Sequence, residues 1–210
     1  METKKYHSIP NGVDTDLFSP AKSDKEKILL RSKLGLPIDI DLILFVGHFS
    51  VEKSALHLLN TWLELHEKNS TSQSGIVFIG STNSNKFEVD IDTVNTIKLK
   101  SKEFVNSKLF FIEETNNIEE YYRATDIYVL SSVREGLPNT LLEAMSCALP
   151  VISSRLDDIT DWVIDDGVDG FLYNPGDINR LSLLLENLLR DVNLRKNIGF
   201  NARKTIKSRF

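Results

Sequence analysis

Two carboxylates and one ammonium have the spacing to do chemistry. Glu135 and Glu143 stand eight residues apart in the stretch Ser131-Ser132-Val133-Arg134-Glu135-Gly136-Leu137-Pro138-Asn139-Thr140-Leu141-Leu142-Glu143-Ala144-Met145. Apolar runs flank it, Ile127-Tyr128-Val129-Leu130 before and Pro150-Val151-Ile152-Ser153 after. That pattern reads as strand, loop, helix, strand, a βαβ unit. If the helix begins near Asn139, Glu143 falls in its first turn and Glu135 in the loop before it, so both can border one pocket. An ionised carboxylate accepts two or more O–H bonds, which suits a hydroxyl-rich ligand. The amides from Leu137 to Leu141, Pro138 excepted, point out of a helix start. Such a start favours an anion such as phosphate. Each acid also has an ordinary reading. Thr140-Leu141-Leu142-Glu143 is a T-x-x-E capping box, and a loop Glu such as Glu135 is often merely solvated.

Lys53 follows a second strand-like run, Leu42 to Val46, and the turn at Gly47. As a point charge it can neutralise a phosphate. The alternative, a solvated Lys at a helix start, is slightly unfavourable because of the helix dipole, and this tilts the reading towards function. His48, one residue past the strand end, is either a phosphate donor or acid/base, or an idle loop histidine. Asp14-Thr15-Asp16 and Asp90-Ile91-Asp92 have D-x-D form but read as turn chemistry. No His, Cys and Asp cluster has metal-ligand spacing. The motifs G-x-S-x-G, Walker A and G-x-G-x-x-G are absent. No cofactor is expected.

These groups need a scaffold, and the order of elements supplies one. Ser23-Asp24-Lys25-Glu26 is an S-x-x-E box opening a helix that Gly35 and Pro37 stop. Strands are predicted at Asp41 to Gly47, Gly75 to Gly80, Leu109 to Ile112, Ile127 to Leu130, Val151 to Ser153 and Phe171 to Tyr173. Between them lie helices on Leu56 to Lys68, Asp92 to Ser107, Ile118 to Arg123 and Leu141 to Cys147. After the last strand, Asp177 caps a Leu-rich helix, and another runs from about Asn193 to Ser208. Asp126, Trp62 and Trp162 read as structural. The alternation predicts an α/β fold: a Rossmann-like, doubly wound parallel sheet of about six strands in three α/β/α layers, with a helical appendage at each end. One domain over residues 1–210 is expected, without repeats or linkers.

Bulk properties narrow the partner. The net charge is -5, from 25 basic and 30 acidic side chains, which argues against nucleic acid. Cys147 is the only cysteine, so no intrachain disulfide can form. No apolar run reaches the ~20 residues of a membrane span, and no signal peptide is evident at Met1 to His7. A cytoplasmic protein is the expectation.

Taken together, the motifs resemble the donor-binding, C-terminal domain of retaining GT-B glycosyltransferases of family 4, the glycosyl transferases group 1. Ile9-Pro10-Asn11-Gly12-Val13-Asp14-Thr15-Asp16-Leu17-Phe18 resembles that family's opening segment. Phe45-Val46-Gly47 with Glu52-Lys53 resembles its first strand and loop. Glu135-Gly136 through Glu143-Ala144-Met145 and Pro150-Val151-Ile152 resembles its E-x7-E signature. Gly167 with Gly170-Phe171-Leu172 resembles its G-x-x-G-x-L turn. The resemblance implies an enzyme that takes a UDP- or GDP-linked sugar as donor and transfers the sugar, without metal, to a glycan or lipid-linked acceptor. Lys53 would bind the diphosphate. Glu135 would hold sugar hydroxyls and Glu143 ribose hydroxyls. Gly136, Leu137, Pro138, Asn139 and Thr140 would contact sugar and phosphate, with Gly47 and His48 beside them. The base would lie near Gly80 and the loop from Ile112 to Ile118.

Three departures from the pattern stand out. His48 replaces a usual Arg, Leu137-Pro138 replaces Phe-Gly, and Ala148 replaces a usual Gly. The family's N-terminal acceptor domain is absent from these residues. The expectation is therefore a donor half, by truncation or as a separate subunit, probing the membrane's inner face only through the other half and inactive alone. Two alternatives remain at this stage: a nucleotide-sugar 2-epimerase-like enzyme, and a non-catalytic nucleotide-sugar-binding module.

Overall fold

The computed structural model describes residues 11–68, 73–83, 88–103 and 108–210. Ile9 and Pro10 of the opening segment, Phe104, Val105 and part of the loop before the second strand lie outside them. Among the described residues, six short, mostly apolar runs form β1 (Asp41–Val46), β2 (Ser74–Ile79), β3 (Leu109–Ile112), β4 (Ile127–Leu130), β5 (Val151–Ser154) and β6 (Phe171–Tyr173). They pair in parallel in the order β3-β2-β1-β4-β5-β6. The chain builds outward from β1 through β2 and β3, then crosses to the other side of β1 at β4. At that reversal the loops after β1 and β4 leave the sheet's carboxyl edge towards opposite faces, and a crevice opens between them.

Among the described residues eight helices cover the sheet: α1 (Asp24–Lys33), α2 (Ala55–Glu67), α3 (Ile91–Glu103), α4 (Ile118–Ala124), α5 (Asn139–Ser146), α6 (Thr160–Val163), α7 (Ile178–Arg190) and α8 (Val192–Arg209). Alternation along the strands divides the core. Leu42, Leu44, Val77, Tyr128 and Leu130 pack with Tyr122, Leu141, Met145, Ala202 and Ile206 on one face. Ile43, Phe45, Ile76, Phe78 and Val129 pack with Leu58, Trp62, Val94 and Leu185 on the other. Successive side chains of a strand point to opposite faces, so strands covered on both sides read as unbroken apolar runs.

Three details differ from the sequence-based expectation. The terminal helices are not appendages: α1 sends Arg31 into the core, where its Nε donates to the Ala124 carbonyl at 2.8 Å, and α8 buries Ile198, Ala202 and Ile206. The Ser23 box closes one way only. Ser23 Oγ accepts from the Glu26 amide, but the Glu26 carboxylate accepts from the Lys22 amide rather than that of Ser23. The four-residue α6 is too short to show a helical period and has no counterpart in the sequence reading.

Candidate donor cleft at the switch point

The loops after β1 and β4 are tied together where they leave the sheet. Ser131 Oγ donates to the carbonyls of Lys53 and Ser54, each at 3.0 Å, and the Val133 amide donates to the Glu52 carbonyl at 2.8 Å. Ser54, the residue before α2, holds a left-handed φ of 54°. Non-glycine residues in that region are sparse and cluster where neighbouring structure over-determines them. The stitching brings Lys53 Nζ to 2.7 and 2.8 Å from the two carboxylate oxygens of Glu135. Ser132 Oγ donates to the same carboxylate at 2.7 Å. The Glu135 side chain is 9% exposed and that of Lys53 30%, so the pair sits in the wall of the crevice with its cation towards water.

Two cavities meet at this pair. One, of about 860 Å³, runs from Ser50 past Lys53 to Arg134, Glu135 and Gly136. The other, of about 570 Å³, runs from Gly47, His48 and Lys53 past Gly80 to Glu113–Asn116, Ile118 and Thr140. Lys53 and Glu88 line both. Gly80 shapes the second: a Cβ there would stand 1.9 Å from the Gly47 carbonyl oxygen, so the two strand ends touch only because no side chain intervenes.

Helix α5 starts on the far wall. Pro138 precedes it with extended backbone and offers no cap. The Leu141 amide turns back to the Pro138 carbonyl at 3.0 Å, so the run of open amides ends at Thr140, one residue sooner than expected. The T-x-x-E capping box does not form either. Thr140 lies inside the helix and its hydroxyl accepts from Tyr128 Oη at 2.8 Å. The Glu143 carboxylate accepts from Tyr122 Oη at 2.9 Å. Burial raises the Glu143 carboxyl above its ordinary value, and the Tyr122 bond offsets part of that rise.

The other expected residues are distributed unevenly. Gly136 lines one cavity and Thr140, Gly47, His48, Gly80 and Ile118 the other. Leu137, Pro138, Asn139, Ile112 and Glu143 line neither. Asn139 Oδ1 accepts from the Asn11 side chain at 3.1 Å, and the Ile112 carbonyl accepts from the Gly80 amide at 2.9 Å. His48 Nε2 lies 3.2 Å from the Glu88 carboxylate, while its Nδ1 is buried with no partner among the described residues. The first D-x-D segment is a turn, in which Asp14 Oδ1 accepts from the amides of Asp16 and Leu17, but the second is not: Asp90 Oδ2 accepts from the Thr93 amide and caps α3, in which Ile91 and Asp92 already lie. Among the described residues no group of three His, Cys, Asp or Glu is placed to hold a metal ion.

Residues 26–205 match the family model described as glycosyl transferases group 1. The chain belongs to this family. The group 1 chain is 32% identical over 184 residues to the UDP-Gal:alpha-D-GlcNAc-diphosphoundecaprenol alpha-1,3-galactosyltransferase of Escherichia coli, covering 85% of the chain and 44% of that protein. It thus spans less than half the length of this relative. Among solved structures, the C-terminal domain of the group 1 protein LpcC from Francisella tularensis superposes with a TM-score of 0.80. The sequences are 24% identical there, and 94% of this chain and 97% of that one are covered. The Anabaena protein HepE in complex with UDP superposes at 0.83 with 21% identity, over 95% of this chain and 52% of that one. At such identities the likeness is one of fold: the six-stranded Rossmann-like sheet of GT-B glycosyltransferases. No helix among the described residues is long and apolar enough to cross a membrane.

Several cleft residues of the group 1 chain were not singled out from the sequence. Ser132 had a signal, lying three residues before Glu135 in the same loop. Tyr122 is separated from Glu143 by 21 residues, and Glu88 from His48 by a whole α2–β2 passage, so no local pattern could pair them.

Proposed function

We propose that this chain is the donor-binding domain of a glycosyltransferase and holds a nucleoside-diphosphate sugar across the crevice between β1 and β4. The observation that carries the reading is the Lys53–Glu135 pair, one cation and one acid side by side at the carboxyl edge of the switch point. The diphosphate displaces Glu135 from Lys53 and takes the ammonium as its counter-charge. The open amides of Asn139 and Thr140 at the start of α5 add donors and a positive dipole end. Glu135, freed of the lysine and still held by Ser132, accepts hydroxyls of the donor sugar. Glu143 accepts ribose hydroxyls, and the base lies over Gly80 against Glu113–Asn116. His48, whose Nδ1 has no partner among the described residues, stands on the phosphate side in place of the family's arginine.

Transfer breaks the bond between the anomeric carbon and the diphosphate oxygen, leaving negative charge on the diphosphate. Groups fixed where that charge develops lower the barrier most, and Lys53 with the α5 amides supplies them without a metal ion. In this reading the sugar passes with retention of configuration to a glycan or lipid-linked acceptor held by a second domain outside residues 1–210, at the cytoplasmic side of a membrane. The E. coli relative, whose name carries a diphosphoundecaprenol acceptor, supports that class.

A thermal-shift panel of UDP, GDP, ADP and their sugars, with and without EDTA, tests donor binding. A ligand that binds the folded state raises the melting temperature, by about 2.7 kcal/mol of stabilisation at a hundredfold excess over Kd. The expected result is a nucleotide-dependent shift unaffected by EDTA, with the extra shift given by the sugar-linked nucleotide lost in Glu135→Ala. No shift with any nucleotide at millimolar concentration overturns the reading. Sugar transfer by the isolated chain above the Glu135→Ala background overturns the need for a second domain.

A further inference from the structure

Helix α8 carries Arg195, Lys196, Arg203, Lys204, Lys207 and Arg209 and no acidic residue, in a chain where acids outnumber bases 30 to 25. Its arginines are engaged with the protein. Arg195 pairs with Asp41 at 3.0 Å, Arg203 donates to the carbonyls of Phe18 and Ser146, and Arg209 donates to the Trp162 carbonyl and lies over its ring. The lysines are not. Lys196, Lys204 and Lys207 are exposed and have no ion pair or hydrogen bond among the described residues.

Their spacing aligns them. Steps of four and three keep side chains on one side of a helix, and Phe200 falls on the same stripe between Lys196 and Lys204. Phe200 is 69% exposed, more than any other large apolar side chain of the described residues. The stripe borders a groove of about 580 Å³ that Pro20 and Ala148 also line. The fold does not require it: α8 attaches through Ile198, Ala202 and Ile206, and through Gly199, whose ideal Cβ would stand 2.0 Å from the Ala148 carbonyl oxygen.

The arrangement selects among occupants. From Lys196 to Lys207 the helix rises about 16 Å, at ~1.5 Å per residue, a row too long to converge on one small anion. A second copy docked stripe to stripe would set lysines against lysines. A surface of anionic lipid headgroups meets both features: it draws the ammonium groups, and the boundary beneath the headgroups takes an aromatic ring.

We propose that the Lys196, Phe200, Lys204 and Lys207 stripe of α8 docks this chain on anionic phospholipid. Ala148 precedes β5, so the docking face lies towards the amino edge of the sheet, and the crevice at the carboxyl edge stays open to water. The inference does not depend on which nucleotide, if any, the crevice holds.

Co-sedimentation with vesicles tests it, comparing pure phosphatidylcholine with a mixture containing about one-third phosphatidylglycerol. The expected result is binding to the mixed vesicles at low salt, release at high salt, and none to phosphatidylcholine. Each Lys→Ala substitution lowers the partition about fivefold, and Phe200→Ser about tenfold. All four side chains are exposed, so circular dichroism melts of the variants should match the parent. Failure to bind mixed vesicles at low salt, equal binding to both compositions, or binding unchanged in the triple lysine variant overturns the proposal. So does preferential capture by duplex DNA offered in competition with the vesicles.

Discussion

Asp126 lies one residue before β4 and Glu135 five residues after it, and each holds a lysine ammonium. The surroundings of the two pairs differ. Asp126 Oδ1 accepts from Lys27 at 2.6 Å, and its Oδ2 from Arg31 at 2.5 Å and from the Leu42 amide at 2.6 Å. Both oxygens are committed, one to the backbone of β1, and the group ties α1 to the central strands. Glu135 has one lysine and one serine hydroxyl, partners that an incoming ligand can replace. A cavity of about 460 Å³ also borders Asp126, so a cavity beside an ion pair does not by itself mark a ligand site. What separates the two is whether the pair is finished by the fold or left open at the carboxyl edge of the switch point. A buried pair broken on one side leaves an uncompensated charge, whereas an open pair can exchange one partner for another at little cost to the fold.

The comparison is easiest to break at its structural end. Asp126→Asn strands Lys27 and Arg31 and is expected to cost about 3 kcal/mol, a fall of roughly 6–12 °C in melting temperature, with nucleotide affinity unchanged. Burial pushes the Asp126 carboxyl up, but Lys27, Arg31 and the Leu42 amide outweigh it and the net shift is downward. A lowered folded value means the stabilisation is present above the ordinary carboxyl range and is lost as pH falls through the folded value. The parent should therefore lose stability below about pH 4 more steeply than Asp126→Asn. An equal melting temperature for the variant would show that this pair is not structural.

Glu135→Gln should behave in the opposite way. It keeps an acceptor for Ser132 and leaves a partly exposed Lys53, so the melting temperature should stay within about 2 °C. Donor-sugar affinity should fall about thirtyfold, ~2 kcal/mol, for loss of charged hydrogen bonds. A calorimetric titration that finds parent-like affinity would remove Glu135 from the site.

Tyr122→Phe sharpens the role of Glu143. Losing the hydroxyl costs about 1 kcal/mol of stability and removes the bond that holds the Glu143 carboxyl down against burial. If the ionised carboxylate accepts ribose hydroxyls, the acid limb of nucleotide affinity moves to higher pH in the variant. An unmoved limb in a pH series of affinities would detach Glu143 from the ligand.

The smallest effect contrasts two helix ends. The residue after the C-cap of α1 is Gly35 with φ 68°, and that of α5 is Ala148 with φ 57°. A side chain costs about 1 kcal/mol in that region, so Ala148→Gly should raise the melting temperature by roughly 2–4 °C. This locates the cost of replacing the family's usual glycine, and a lower melting temperature would mean the Ala148 methyl packs favourably instead.

Much of the fold was legible along the chain. Apolar runs of four to six residues separated by capped periodic segments describe a parallel sheet covered on both faces, because local propensity and burial act over the same short distances. Asp177 capping α7 is a case where a single residue type carries the signal. The cleft was legible only in part. Glu135 and Lys53 were singled out through their position at predicted element ends, and the structure sets them side by side, but Thr140 and Glu143 read as a cap from their spacing alone. The two aromatic hydroxyls that engage them arrive from Tyr122 and Tyr128, on other elements.

By itself the sequence determined which residues become the six strands and the longer helices, and that an acid and a lysine follow two different strands. Those features depend on neighbours within a few residues. Only the tertiary structure decided that β1 and β4 are adjacent, that Lys53 meets Glu135, and that the lysines of α8 have no partner among the described residues. Strand order and long-range contact are set by how the layers close over one another, and that closure depends on the whole core at once.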